Sequence, residues 1–305
     1  MSLLDALIIG IVQGLTEFIP VSSTAHLIFA CKWLGLYEGS GAQLQAERTT
    51  ATIAVVQLGT LLAVFIYFAR DIWDISRAFV VDHLALLRGG GGEAGAGGAA
   101  GGALARAWAG LSDDARLGWL VVIGSVPVGV VGLLFKDEIE GTFTKNLWVI
   151  ATMMVAVALL LALAEKVGTR RREMRDLSLR DALAVGGAQV LSLLPGASRS
   201  GSTIMGGLFA GETRETAARF SFLLSIPAIA ASGLLELGEA VEKLPGGTAL
   251  PLAVATATAG LVGYASIWFL LRFLRTRSTF AFIAYRLAVG LALLALLAAG
   301  RIQPV

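Results

Sequence analysis

Residues 13–26 read QGLTEFIPVSSTAH, and they place polar and helix-breaking residues in the middle of an apolar segment that runs from Leu3 to Leu36. A second apolar segment, Ala182–Ala210, is interrupted in the same way by residues 195–202, which read PGASRSGS. Non-helical backbone is tolerated at membrane depth only where protein or a water-filled cavity covers it. Both segments are therefore predicted to be re-entrant helical hairpins, which enter and leave a membrane on the same side.

The composition indicates that lipid is the solvent of this chain. Of its 305 residues, 56% are hydrophobic and only 15% are charged, and the mean hydropathy is +0.77. Soluble domains carry about 25% charged residues. No basic patch of the kind that binds nucleic acid stands out, so no nucleic-acid partner is expected. The single cysteine, Cys31, excludes an intrachain disulfide and a cysteine-based metal site.

Six further stretches are apolar and long enough to cross a bilayer, which takes about 20 residues. They are Thr50–Phe68, Leu117–Phe135, Leu147–Leu163, Ala217–Leu235, Leu250–Leu271 and Phe280–Ala299. The sequence thus predicts an all-α, polytopic membrane protein with six transmembrane helices and two re-entrant hairpins.

The distribution of basic residues predicts the orientation. With this topology the segments 70–116, 164–180 and 272–279 share one side, and they contain 14 Lys and Arg residues. The opposite side contains six: Lys32, Arg48, Lys136, Lys145, Lys243 and Arg301. The positive-inside rule then places the first group in the cytoplasm and both termini outside.

The two hairpins also belong to an internal repeat. Asp5-Ala6-Leu7 recurs as Asp181-Ala182-Leu183 and Gln13 recurs as Gln189, both at an offset of 176; one deletion later, Pro20–Ser23 aligns with Pro195–Ser198. Each repeat, residues 1–163 and residues 181–300, would be a hairpin followed by three spans, so the two halves would be inverted. Inverted repeats place a site near the midplane where the broken helices meet. Gly89–Gly102, almost entirely Gly and Ala, is interpreted as a flexible cytoplasmic linker.

The first hairpin carries most of the reactive side chains. Gln13 and Glu17 are four residues apart and share a helix face, and Pro20 ends that helix. The following residues Ser22–Thr24 are N-cap types, whose hydroxyls and free backbone N–H groups favour an anion. His26, just inside the next helix, is a candidate nucleophile or proton carrier.

The second hairpin adds an arginine to the same kind of helix start. Arg199 has a planar guanidinium that binds phosphate through two parallel hydrogen bonds. An ionisable side chain at membrane depth is a functional hypothesis by default. Together the two hairpins predict phosphoryl chemistry, with the Glu17 carboxylate available to hold a divalent cation against the phosphates.

Structural explanations compete with these assignments. The serine and threonine hydroxyls often bond only to backbone in membrane helices, and Gln13 and Gln189 could join helices to each other. Arg199 could form a purely structural ion pair with Glu17. Arg219 and Arg286 could each help to bind an anionic headgroup, although extension to the membrane surface is favoured. His83 is expected to be solvated in a polar loop.

At these motifs the sequence resembles the undecaprenyl-diphosphatase family, the bacitracin-resistance type of bacterial membrane phosphatase. The likeness covers nearly the whole chain, and its most specific parts are residues 13–26 and 195–201, with a further likeness at residues 220–227. The resemblance implies removal of the terminal phosphate of undecaprenyl diphosphate, which recycles the lipid carrier of peptidoglycan synthesis. It also implies a bacterial inner-membrane location, a site that opens toward the periplasm, and a requirement for Mg²⁺ or Ca²⁺. A homodimer is compatible with the sequence.

The resemblance assigns roles to individual positions. The predicted catalytic residues are Glu17, Ser23, His26 and Arg199, and the predicted substrate-binding residues are Ser22, Thr24, Ser198, Arg199, Ser200 and Gly201. The predicted metal ligands are Glu17 and Gln13. Two positions depart from the family pattern: Gln13 stands where many members have glutamate, and Ala25 where glycine is usual. The first removes a carboxylate from the predicted metal site.

Two mechanisms and one rival function remain at this point. Either His26 attacks phosphorus directly, which is favoured, or it activates Ser23 or a water. The rival function is a transporter or flippase for a polyprenyl phosphate or another anion, since such proteins share inverted repeats and broken helices. A transporter needs an anion site but no nucleophile.

Overall fold

The computed structural model describes residues 1–37, 39, 41–88, 108–136, 138, 146–243 and 247–303. In these ranges the chain forms eleven α-helices, two 3-10 turns and no strand, so the predicted all-α class is confirmed. The helices are α1 Leu3–Phe18, α2 Ser23–Trp33, α3 Ala42–Tyr67, α4 Ala69–Leu87, α5 Asp113–Leu134, α6 Leu147–Val167, α7 Leu179–Val190, α8 Arg199–Phe209, α9 Arg214–Lys243, α10 Ala249–Leu274 and α11 Phe280–Ala298.

Five of these helices are long and apolar enough to cross a membrane: α3, α5, α6, α10 and α11. Each coincides with one of the predicted spans. The sixth predicted span, Ala217–Leu235, lies inside the 30-residue helix α9, which does not belong to that set. The multi-pass membrane character is therefore confirmed, with five apolar spans in the described part of the chain.

The two interrupted segments fold into pairs of short helices, as their sequences predict. Helices α1, α2, α7 and α8 contain 16, 11, 12 and 11 residues. At a rise of 1.5 Å per residue, none reaches across a hydrocarbon layer about 30 Å thick. The break lies around Pro20 in the first pair and around Pro195 in the second.

The helix starts of the two hairpins share one spacing. Ser2 and Asp5 form a capping box before α1, and Ser178 and Asp181 form the same box before α7. Helices α2 and α8 begin at residues 23 and 199, again 176 apart. In this spacing Ser22 corresponds to Ser198, whereas the two proline motifs align Ser23 with Ser198. The division into repeats at 1–163 and 181–300 stays a prediction.

Small residues allow the central helices to approach closely. A Cβ added to Gly59 of α3 would lie 2.0 Å from the carbonyl oxygen of Thr256 in α10, and one on Gly186 of α7 would lie 2.1 Å from the Gly124 oxygen in α5. Lipid tails provide no hydrophobic drive for helices to associate, so such close backbone contact is their main source of attraction. The packing thus holds α3 against α10 and α7 against α5.

Residues 70–87 of the segment 70–116 are helical. They belong to α4, which packs on α5, and the prediction that His83 is merely solvated is wrong. The His83 ring stacks on Phe79 at 4.3 Å and accepts a hydrogen bond of 3.0 Å from the Trp119 indole. The predicted linker Gly89–Gly102 lies outside the described residues.

Glu212 is a buried carboxyl in the turn between α8 and α9. The side chain is fully buried, and neither carboxylate oxygen has a hydrogen-bond partner. The turn is held by the Thr213 amide, which donates to the Arg172 carbonyl at 2.9 Å. Burial, and secondarily the negative charge of Asp181, raise the pKa of Glu212 to about 8, against a smaller opposing effect of Arg172.

Replacing Glu212 by Gln is expected to stabilise the protein near pH 8. The unfolded carboxyl loses its proton near pH 4.5, whereas the folded one keeps it to about pH 8, so stability falls as pH rises between these values. The neutral amide removes this loss, which is on the order of 2–5 kcal/mol. Thermal midpoints in detergent should show a gain at pH 8 and none at pH 4.5. An equal gain at both pH values, or a gain in the control Glu47→Gln, would contradict the assignment.

Candidate functional site

The first break in the membrane helices is built by Pro20 and a strained serine. Helix α1 ends at Phe18, and Ser22 then adopts a φ of +80° before α2 starts at Ser23. The left-handed region is uncommon for a residue with a side chain and marks a backbone held by its surroundings. This turn brings Ser23 back beside Glu17, its neighbour across the break.

The second break repeats this geometry. Ser198 has a φ of +70° and is the N-cap of α8, where its hydroxyl accepts a hydrogen bond of 3.1 Å from the Gly201 amide. Gly196 is required by the fold here, because its φ is +88° and an added Cβ would lie 2.2 Å from the Ile150 carbonyl oxygen. Helix α8 then begins with Arg199.

Glu17 and Arg199 join the two breaks. Arg199 Nη2 lies 2.9 Å from Glu17 Oε1, and the two side chains are only 11% and 2% exposed. The other carboxylate oxygen, Oε2, accepts hydrogen bonds of 2.7 Å from Ser23 Oγ and 3.1 Å from Gln13 Nε2. The two hairpins thus lie close together, as predicted, and Glu17 contacts residues of both.

A cavity of about 190 Å³ opens beside this cluster. Six of the predicted site residues line it: Glu17, Ser22, Ser23, Thr24, Ser198 and Arg199. Gln57, Gln189 and Ser192 line it as well and were not predicted. The amide of Gln189 is fully buried, and neither its oxygen nor its nitrogen has a hydrogen-bond partner. The repeat with Gln13 was the signal in the sequence for this position.

His26 is absent from the residues that line the cavity. Its Nδ1 lies 2.7 Å from the Ser22 carbonyl oxygen and its Nε2 lies 2.7 Å from the Tyr285 hydroxyl. The Tyr285 ring also stacks on it, with centroids 5.7 Å apart. Both ring nitrogens are therefore engaged, and the side chain supports the break from the side of α11.

Gln13, Ser200 and Gly201 lie behind the cavity wall. Gln13 is fully buried and donates to Glu17, so it holds the carboxylate in place. The Ser200 hydroxyl is fully buried, 3.4 Å from the Ile19 carbonyl oxygen, and so contacts the opposite break. None of the three lines the cavity, and of them Ser200 makes the contact between the two hairpins.

Arg286 is a site residue that sequence reasoning misjudged. It does not extend to the surface but is fully buried in α11. Its guanidinium donates to the carbonyls of Gly196 and Ala197 at 3.0 Å each, and to that of Pro20 at 3.3 Å. Two further bonds reach Met153 and Met154. One side chain thus ties both breaks together, and an arginine within an apolar span was the available signal.

The donors around the cavity are suited to a phosphate-containing anion. Arg199 faces it with a guanidinium, and the first residues of two helices, α2 and α8, line it. A helix N-terminus favours negative charge because its amides and dipole point at the ligand. The Ser23 hydroxyl, already bonded to a carboxylate, adds a group able to react with such an anion.

The chain is similar to known proteins over nearly its whole length. The family model described as "Bacitracin resistance protein BacA" matches residues 6–292. The chain is 47% identical over 295 residues to an undecaprenyl-diphosphatase of Syntrophobacter fumaroxidans, which covers 96% of this chain and 97% of that protein. It is 44% identical over 312 residues to an undecaprenyl-diphosphatase of Prosthecochloris aestuarii and 43% identical over 304 residues to one of Myxococcus xanthus; these matches cover 99% and 100% of this chain, and 100% and 92% of those proteins.

Proposed function

Because the chain belongs to the family of the bacitracin resistance protein BacA, we propose that it hydrolyses undecaprenyl diphosphate to undecaprenyl phosphate and inorganic phosphate. The reaction recycles the lipid carrier of cell-wall synthesis, and bacitracin resistance is associated with the family. The observation that carries the proposal is the contact of Glu17 with both Arg199 and Ser23 beside a buried cavity. A transporter or flippase would need Arg199 but not a hydroxyl bonded to a carboxylate.

Arg199 is the main binding group for the diphosphate in this proposal. Its charge is paired with Glu17, and its Nε is buried without a partner. A diphosphate can take these donors, since charge-assisted hydrogen bonds to phosphate are strong and the guanidinium fork fits two oxygens. The backbone N–H groups at the start of α8 then stabilise the charge on the terminal phosphoryl group.

Ser23 is the nucleophile that the geometry favours. Its hydroxyl lines the cavity and donates to Glu17, whereas His26 does not line the cavity and is engaged at both nitrogens. Ser23 Oγ would attack the terminal phosphorus as Glu17 takes its proton, and the bond to the bridging oxygen would break to release undecaprenyl phosphate. Water would then hydrolyse the phosphoserine and release inorganic phosphate.

In this proposal the cofactor is a divalent cation that both the protein and the substrate phosphates would bind. Glu17 is the one carboxylate at the site, and the described residues contain no group of three His, Cys, Asp or Glu side chains that could hold a metal ion. The unpartnered Oε1 of Gln13 is the second oxygen nearby. One or two protein oxygens suit Mg²⁺ that keeps phosphate and water ligands. Glu17 and Gln13 would hold it, and it would neutralise phosphate charge.

The proposed orientation puts the cavity on the periplasmic side of the bacterial inner membrane. The six-span arrangement with two re-entrant hairpins is supported by the short lengths of α1, α2, α7 and α8 and by the 14 basic residues on the opposite side. The isoprenoid tail would lie among the spans in lipid. A homodimer stays compatible with the sequence.

The decisive experiment compares Ser23→Ala with His26→Ala in phosphate release from C15 and C55 diphosphates, with and without chelator. Loss of the nucleophile is expected to lower turnover by about 10³-fold or more, whereas His26→Ala should keep measurable turnover. Ser192→Ala, another cavity serine that makes no bond to Glu17, is the matched control. Full activity of Ser23→Ala with loss in His26→Ala would return the nucleophile to His26. Absence of phosphate release by the folded wild-type protein would favour the transporter.

A further inference from the structure

A second, larger cavity lies at the opposite end of the helices, away from Glu17 and Arg199. It measures about 760 Å³ and is formed where the segment after α6, the start of α9 and the end of α10 meet. Five arginines and only two glutamates line it. The arginines are Arg170, Arg175, Arg214, Arg219 and Arg275.

The carboxylates around this cavity leave it cationic. Arg170 and Arg214 both bind the single carboxylate of Glu165, which also accepts a hydrogen bond from Thr279. Arg219 pairs with Asp71 and Arg275 with Glu215. With Glu173, the described carboxylate partners number four, whereas five guanidiniums line the cavity, so the positive charge is in excess.

Arg175 is the guanidinium least committed to its partner. Its distance to Glu173 is 3.5 Å, and the two side chains are 75% and 61% exposed. An exposed ion pair of this kind contributes about 0–1 kcal/mol and is easily exchanged for another anion. Arg219 also retains a donor, since its buried Nε has no hydrogen-bond partner. The cavity thus has donors available for an anionic ligand.

A largely apolar groove of about 720 Å³, whose lining also includes Asp113, Arg116 and Arg180, adjoins this cavity. Met174 and Arg175 line both spaces. Leu117, Leu120 and Ile123 form one wall of the groove. An indole, that of Trp108, lines it as well, and tryptophan is enriched where membrane meets water. A charged cavity joined to an apolar groove matches an amphiphile, whereas inorganic phosphate would use only the charged part.

We propose that the cavity and the groove together bind one anionic phospholipid from the leaflet on the arginine-rich side. Its phosphate contacts Arg175 and the neighbouring guanidiniums, and one acyl chain lies along Ile123. Basic pockets between membrane helices on the cytoplasmic side are the kind of site that binds acidic lipid headgroups. This site is independent of the cavity at Glu17 and does not rest on the proposed hydrolysis.

The test measures lipid binding to the purified full chain in a neutral detergent by native mass spectrometry, with phosphatidylglycerol, phosphatidylcholine or inorganic phosphate added. Phosphatidylglycerol should be retained in preference to phosphatidylcholine. Arg175→Gln should weaken that binding at least about fivefold. Arg277→Gln, an exposed arginine on the same side but outside both spaces, should not change it.

A second variant separates the lipid from a free anion. Ile123→Trp fills the groove without altering the arginines, so it should weaken phosphatidylglycerol binding and leave any binding of inorganic phosphate unchanged. Equal retention of the two lipids, or an equal loss in Arg175→Gln and Arg277→Gln, would overturn the proposal. Unaltered phosphatidylglycerol binding in Ile123→Trp would also overturn it, because the lipid would then be bound without the groove.

Discussion

Arg199→Lys is expected to lower phosphate release from a polyprenyl diphosphate about 10²- to 10³-fold while the protein stays folded. The lysine keeps a positive charge beside Glu17, so the buried carboxylate is not left alone. It loses the planar fork that binds two phosphate oxygens at once, and a group that stabilises developing charge typically contributes this factor. Initial rates test the loss of turnover, and thermal midpoints measured on the same detergent preparation test whether the protein stays folded.

Arg199→Ala is expected to have a larger effect than Arg199→Lys. It should abolish release and also destabilise the protein, since removing one partner of a buried ion pair costs about 3–5 kcal/mol. Arg277→Lys is the control, because that exposed arginine lies far along the chain from both breaks. A folded Arg199→Lys protein with wild-type turnover would show that the guanidinium only completes a structural pair with Glu17.

The meeting of Glu17 and Arg199 could be predicted because both interruptions of the apolar pattern had to be covered by protein. A helix that breaks inside a membrane exposes N–H and C=O groups, which must be buried in protein or line a water-filled cavity. The sequence also predicted where the helices are interrupted, because Pro20 and Pro195 break the helical pattern. Neither inference requires knowledge of a distant contact.

The contacts of His26, by contrast, could not be predicted from the sequence. Three residues after Ser23, it lies one turn further along the same helix, and spacing alone suggests that both face one ligand. The structure brings Tyr285 against its Nε2 from a position 259 residues away in the chain. Arg286 was misjudged for the same reason: whether an arginine in a span is buried or extends to the surface depends on which helices surround it.

Arg286→Leu is expected to abolish both folding yield and activity. The replacement fills much of the volume but removes every donor to the carbonyls of Pro20, Gly196 and Ala197. A buried polar group left without a partner costs about 1–3 kcal/mol, so three of them approach the total stability of many proteins, about 5–15 kcal/mol. Size-exclusion profiles and thermal midpoints in detergent measure the loss, with Arg301→Leu, an exposed terminal arginine, as the control.

Arg286→Lys separates the positioning of the breaks from folding itself. A lysine keeps the charge and offers three donors on one nitrogen, so it can reach one or two of the carbonyls but not all of those that the guanidinium spans. The variant should therefore fold, with kcat lowered about 10- to 100-fold, because the two helix starts that hold the phosphoryl group are no longer held at one separation. A merely structural arginine would lower the thermal midpoint and leave kcat of the surviving fraction unchanged. That result would move Arg286 out of the site, since its bonds would then matter to the stability of the loops and not to the distance between Ser23 and Arg199.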